Sequence, residues 1–478
     1  MHAATTFWRL VTGDVASIAT LSINECEHKH DPIGLRHMTQ LLRVVAVLVT
    51  VFCISSPVSA DSSHESLQAE IRALIAKLHN ENSRDRQEAV EALGAFGEMA
   101  RTAIVPLVTT LDDTTVNVRA AAASAIGSIG TSANVSVPAL ISSLQDSNAT
   151  VRLTAATALS RFLKKGSLIA PALGKLLDDP DESVRLTAAS TLGALGSQSV
   201  PVLRNALRQH PDPSVHVMAL AALGGTGIYA ERALPEILAA LDQPIGDIRR
   251  AAAIALGKVA SDKTWPETRP WRDRSADPLG YDPKPVWPRP MRTPMRQTLY
   301  TRLHHAVIEV TVPALSQILD DPVPEVRSAA LRALSSIGQE SEPAVPFVIA
   351  VIADEDANVR RAAATALGNI RESSERTLES LIETFTDTDS DVRLAASRSI
   401  TKLGAPAVPV LIRAMKNPEP AVRVLAATTL ENLGEEAVTA IPTLSQALGD
   451  DDQAVRLAAT YALEVIEETI EAGGVPSQ

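Results

Sequence analysis

Cysteine, aromatic residues, basic charge and long apolar runs are all scarce in this 478-residue chain, and each scarcity removes a class of function. Both cysteines, Cys26 and Cys53, precede Ala60. A chain processed at Ala60 would therefore have no disulfide, no cysteine-ligated zinc and no thiol nucleophile. Aromatics make up 3% of residues against 45% hydrophobic residues overall, a composition of many small, closely packed helices rather than large mixed cores. The net charge of -12 argues against nucleic acid as the main partner, because neutralising phosphates takes a basic face. The apolar stretch Val44 to Ile54 has eleven residues, whereas a membrane-spanning helix needs about 20.

That short run has the form of an export signal. Arg43 precedes it, and the small residues around Val58-Ser59-Ala60 suit signal peptidase. The pattern predicts a signal peptide over 38–60, cleavage after Ala60, no membrane span in the mature chain, and a periplasmic, cell-envelope or secreted location. Residues 1–37 carry Asp14, Glu25, Glu27 and Asp31, unlike the start of an export signal, so Met38 is read as the true start. Residues 1–37 are then not translated or not part of the mature protein.

From there one pattern recurs. A β-branched residue and arginine stand together at Val118-Arg119, Val151-Arg152, Val184-Arg185, Ile248-Arg249, Val326-Arg327, Val359-Arg360, Val392-Arg393, Val422-Arg423 and Val455-Arg456; Asp85-Arg86 and Val215-His216 complete eleven anchors. Most spacings are 33 residues, two shrink to 31 and 30, and one swells to 78. Leu or Ile follows seven residues after every anchor arginine or its His216 equivalent, from Leu93 to Leu463. With the intervening alanine this makes the one-sided apolar stripe of a helix. Gly97, Gly130, Gly196, Gly227, Gly338, Gly404 and Gly434 fall where that helix should end in a left-handed residue. Prolines about fourteen residues before the anchor, such as Pro138, Pro171, Pro313 and Pro346, are expected to open a first helix. Aspartates six before it (Asp113, Asp146, Asp179, Asp321, Asp354, Asp387 and Asp450) should lie in the turn and cap the second helix.

Segments such as VPALSQILDDPVPEVRSAALRALSSIG (312–338) closely resemble HEAT repeats, in particular the short type named after the phycobiliprotein lyase subunits. The resemblance covers about Glu65 to Glu471. It implies an all-α solenoid of about eleven two-helix repeats, with a ladder of aspartate and arginine along the stack. On function it is nearly silent, since the family includes scaffolds, adaptors and a few enzymes.

Signals for chemistry are few. Deoxyhypusine hydroxylase, an iron-dependent HEAT enzyme, would require several His-Glu pairs, and only His64-Glu65 is present. Asp387-Thr388-Asp389-Ser390-Asp391 starts like a calcium loop but has Val392 at its sixth position and Arg398 at its twelfth, and reads as a solvated turn. Adjacent His304 and His305 diverge on a helix and cannot grip one metal. Gly224 to Gly227 ends a helix instead of opening one after a strand, unlike a phosphate loop. No catalytic residue, cofactor or metal is expected.

Two features point instead to a protein partner. The stretch 263–302 holds eight of the thirty prolines, three of the four tryptophans and a net charge of +5, on a scaffold that is otherwise acidic. It forms most of an insertion of about 45 residues, the excess of the 78-residue interval over one period. Trp265, Trp271, Arg272, Trp287 and Arg289 either staple the segment onto the acidic solenoid or present it to a partner. The second feature is the position just after the anchor arginine, about 165° from the buried stripe. It runs Leu153, Leu186, Val217, then Arg250, Ser328, Arg361, then Leu394, Val424, Leu457. These side chains either pack against neighbouring second helices or line a docking surface. The resulting partition is repeats 1–6 over 61–261, an irregular insertion over 262–306, repeats 7–11 over 307–471 and a tail over 472–478. The expected function is a non-enzymatic scaffold or adaptor that binds protein through the solenoid's inner surface and the insertion. The alternative is an accessory or catalytic subunit of an enzyme, lyase-type or hydroxylase-type.

Overall fold

In the computed structural model, residues 60–261 and 293–472 are described. They are helical, with no strand among them. Helix Ala60–Lys77 falls in a separate unit from the array that follows it from Leu78. Within the array the second helices of the repeats are α1 (Ser83–Ala95), α2 (Val116–Ile129), α3 (Ala149–Leu159), α4 (Glu182–Ala194), α5 (Pro213–Gly225), α6 (Gly246–Ser261), α7 (Pro324–Ile337), α8 (Ala357–Ile370), α9 (Ser390–Leu403), α10 (Pro420–Leu433) and α11 (Gln453–Ala472). Each packs on the next, so the core is a continuous stripe rather than a centre. The leucine or isoleucine after each anchor is at most 1% exposed in the first ten repeats, and only Leu463 in the last is partly open.

All seven glycines at the ends of second helices have positive φ. Gly338, Gly404 and Gly434 combine it with ψ of -134°, -148° and -126°, a region that a β-carbon forbids. In the eighth repeat Arg371 holds the same place at φ 62°, ψ 27°. A second glycine works by closeness. Gly127, Gly257 and Gly368 face Ala158, Ala333 and Ser399 of the next helix, where an added β-carbon would lie 2.5–2.8 Å from its neighbour. Adjacent second helices therefore meet backbone to backbone.

The shortened spacings come from the connections between repeats. The usual connection is a seven-residue 3-10 segment such as Gly97–Ala103 or Gly338–Ala344; it contracts to Gly196–Gln198 and Ala405–Ala407 before the fifth and tenth anchors.

Three expectations are corrected. Pro201, Pro235, Pro346, Pro409 and Pro442 do sit in first turns, but Pro138, Pro171 and Pro313 lie inside helices Ala133–Ser143, Gly166–Lys175 and Thr293–Gln317. A proline removes only its own N–H, so helical turns can precede it when the chain on that side is already committed. Residues 293–306, assigned from the sequence to the irregular insertion, are helical. The aspartates six before the anchor do not cap the second helices. They accept the N–H two residues on, as Asp146 does from Asn148 at 2.8 Å, and that later residue often caps instead, as Asn148 does for the N–H of Thr150.

Candidate interaction surface

The anchor arginines build the most regular feature of the array. Arg86, Arg119, Arg152, Arg249, Arg360 and Arg423 each place Nε and Nη2 on the two oxygens of the next repeat's aspartate, at 2.6–2.9 Å. Their Nη1 donates to carbonyls of their own turn, as Arg360 does to Asp354 and Glu355. Arg327 makes a single contact with Asp354 through Nη2 at 2.6 Å. Each such guanidinium therefore ties its own turn to the next one. Its hydrogen bond holds the carboxyls of Asp113, Asp146, Asp387 and Asp450 below the usual carboxylate range. At Asp179 and Asp321 burial pushes upward, and the arginine together with a backbone N–H outweighs it.

One rung joins residues far apart in sequence. Arg249 reaches Asp321, 72 residues away, and α6 packs directly on α7. The sixth and seventh repeats are thus neighbours in the stack despite the interval between them.

The ladder has gaps at Arg185, His216 and Arg393, where the next turn offers His210, Gln243 and Asn417 in place of aspartate. Arg185 keeps its own-turn bonds to the carbonyls of Asp179 and Pro180, while its Nε is buried without a partner among the described residues. His216 turns to the carbonyl of His210 at 2.8 Å.

On the row following the anchors, Leu186, Leu394 and Leu457 are 51%, 44% and 53% exposed, Leu153, Val217 and Val424 are half-buried, and Ser328 is buried. Arg250 pairs with Asp247 at 3.0 Å in its own helix, and Arg361 with Asp391 of the next repeat at 3.4 Å. Both interpretations of the row therefore have members: its centre is partly closed, and three leucines face solvent. Two hollows open along it. One, between α5 and α6, is walled by Val217, Ile254, Arg250 and Lys258. The other, between α9 and α10, contains Leu394 and Val424. Trp265, Trp271, Arg272, Trp287 and Arg289 lie outside the described residues, as does the segment preceding Ala60, the proposed cleavage position, which is the first residue of helix Ala60–Lys77.

Reasoning from sequence missed the gaps in the ladder and the helix-facing glycines. Both were present in the sequence: the gaps as departures from the period, with the acid absent at 210, 243 and 417, and the glycines as a recurring feature, eight residues after anchors such as Arg119, Arg249 and Arg360.

Among the described residues no group of three His, Cys, Asp or Glu side chains is placed to hold a metal ion, and no helix is long and apolar enough to cross a membrane. His304 and His305 turn to different acids, Glu340 and Glu309. Asp387 is taken by Arg360, and Asp389 caps α9.

A family profile for HEAT repeats matches residues 71–160, 137–209, 200–270, 312–400 and 378–464, more than half of the sequence, and the chain belongs to the HEAT-repeat family. No curated protein matches the sequence significantly. Among solved structures the chain is similar to Kap121p, with a TM-score of 0.55 and 15% identity over 84% of this chain and 46% of that one. It is also similar to importin beta, with a TM-score of 0.48 and 16% identity over 93% of this chain and 61% of that one. The chain spans less than half of the Kap121p chain, and at such identity the likeness is one of fold.

Proposed function

We propose that this chain is an exported, non-catalytic adaptor built of short, lyase-type HEAT repeats, and that it holds another protein on the face of its second helices, assisted by the segment around Trp265, Trp271 and Trp287. The observation that carries this reading is the row of exposed leucines, Leu186, Leu394 and Leu457, on helices whose opposite faces are fully committed to the core. Large apolar side chains repeated at equivalent sites of a rigid array offer a partner anchoring points at little ordering cost. Export is supported by the pattern from Met38 to Ala60 and by the confinement of cysteine to the residues before Ala60.

Photo-crosslinking tests the surface. A crosslinker at Leu186, Leu394 or Leu457 should trap the native partner, and one at Val105 or Phe347, exposed on first helices, should not. Trapping only from the first-helix positions would overturn the assignment. Export is tested by sequencing the N-terminus of the native protein, expected to begin at Asp61; an uncleaved cytoplasmic chain would sink it and favour an intracellular adaptor or enzyme subunit.

A further inference from the structure

Of the gaps in the ladder, the one at Arg393 opens onto a groove. We propose that Arg393 and the hollow between α9 and α10 bind an acidic-apolar peptide segment of a protein partner: a side-chain carboxylate seats on the free Nε and Nη2 edge, and a neighbouring aliphatic side chain enters the hollow. This inference rests on the adaptor reading and gives that surface a chemical specificity.

The guanidinium is already positioned. Arg393 Nη1 donates to the carbonyls of Asp387 and Thr388 at 2.7 and 3.2 Å, the same own-turn anchorage that fixes Arg360 and Arg423. In those two arginines the remaining edge holds a carboxylate with two hydrogen bonds; in Arg393 it has no hydrogen-bond partner among the described residues. Asn417 occupies the aspartate's place. Its Oδ1 accepts the N–H of Glu419 at 2.9 Å, so the turn keeps its shape and lacks only the charge. What is left is an arginine fork built for a carboxylate, beside a turn that does not provide one.

The apolar half adjoins it. The hollow measures about 360 Å³ and is lined by Arg393, Leu394, Pro420, Ala421, Val424 and Leu425. It lies at the N-terminal ends of α9 and α10. Asp452 also borders the hollow, its carboxylate accepting the N–H groups of Ala454 and Val455. A second acid is disfavoured at that border, so the peptide's acid belongs at Arg393 and its apolar residues toward Val424 and Leu457. The gap at Arg185 offers no such site, because its Nε is buried. A net charge of -12 also disfavours an extended polyanion, whereas one acid flanked by aliphatic residues meets both walls of the groove.

The test uses the full chain and a fluorescein-labelled peptide with one aspartate followed by two leucines in a Gly/Ser background, against a matched peptide with asparagine, read by fluorescence anisotropy. The aspartate peptide should bind at least about tenfold more tightly, the scale of a two-bond charge-assisted contact. Arg393→Gln and Asn417→Asp should each abolish that preference, Arg393→Lys should reduce it, and Leu394→Ser should weaken both peptides. Asn417→Asp supplies the missing rung and should raise the melting temperature, so its loss of binding cannot be ascribed to unfolding. Equal binding of the two peptides, no binding of either, or an unchanged preference in Arg393→Gln would overturn the proposal. Crosslinking at Leu186, on α4 and away from this groove, would survive any of these, which separates failure of this groove from failure of the adaptor reading.

Discussion

Arg360→Ala is the sharpest test of what holds the stack together. The side chain makes four hydrogen bonds: Nε to Asp387 Oδ2 at 2.6 Å, Nη2 to Asp387 Oδ1 at 2.9 Å, and Nη1 to the carbonyls of Asp354 and Glu355 at 2.8 and 3.1 Å. Arginine and aspartate side chains are 15% and 8% exposed, so truncation leaves a largely buried carboxylate with little beyond the Asp389 N–H. Breaking one side of a fully buried pair costs about 3–5 kcal/mol, and the residual exposure here sets the expectation at the low end, about 3 kcal/mol. The neighbouring Arg361 is the control. Its side chain is 45% exposed and meets a 66% exposed Asp391 at 3.4 Å, a contact worth about 0.5 kcal/mol or less. Because a repeat array is stabilised by its nearest-neighbour interfaces, the loss should concentrate between the eighth and ninth repeats. Hydrogen exchange should show α9 and helix Glu375–Glu383 losing protection in Arg360→Ala, with a lowered melting temperature and Arg361→Ala close to wild type. Arg360→Lys, which keeps charge without the planar fork, should fall between. Equal losses in the two alanine variants would refute the view that the ladder joins the repeats.

Further outcomes are expected. Six ladder aspartates (Asp113, Asp146, Asp179, Asp321, Asp387 and Asp450) have folded-state pKa values below their usual range, so the stability they contribute is complete above the unfolded carboxylate pKa near 4 and is lost as pH falls through the folded values. Melting temperature should therefore be level from about pH 7 to 5 and fall below about pH 4, less steeply in Asp387→Asn. Gly257→Ala puts a β-carbon 2.6 Å from that of Ala333, and chemical denaturation should show a loss of about 1–3 kcal/mol despite the better helix former. Arg371→Gly relieves an exposed left-handed residue and should stabilise by about 1 kcal/mol in the same assay. Replacing 263–292 by a Gly/Ser linker of equal length should leave the melt near wild type, since Arg249 still meets Asp321, while partner capture falls; a large drop in melting temperature would mean that the segment staples the array.

The period carried most of the architecture, because a solenoid makes the same local demands in every unit. The apolar stripe, the glycine ends and the turn aspartates had to recur wherever a helix buried one face and stopped, so they were visible in a single chain. Even the ladder's membership was legible once Arg360 and Asp387 were seen to occupy fixed places in successive units. The direction of each bond was not: a ladder along the stack was expected, but the spacing did not tell whether an arginine would meet the preceding or the following turn, and the structure puts it on the aspartate 27 residues ahead. Whether Leu186 stands in solvent or Ser328 lies buried was equally hidden, since both occupy the same position of the repeat and only the packing of their neighbours distinguishes them. The candidate groove lay further still from the sequence. Asn417 could be seen to break a pattern, but a guanidinium edge without a partner among the described residues becomes a site only where a hollow opens beside it, and that depends on how neighbouring helices settle against each other. Periodicity determined the repeating contacts because they are local in each unit; the irregular ones required tertiary structure because they arise where adjoining units differ.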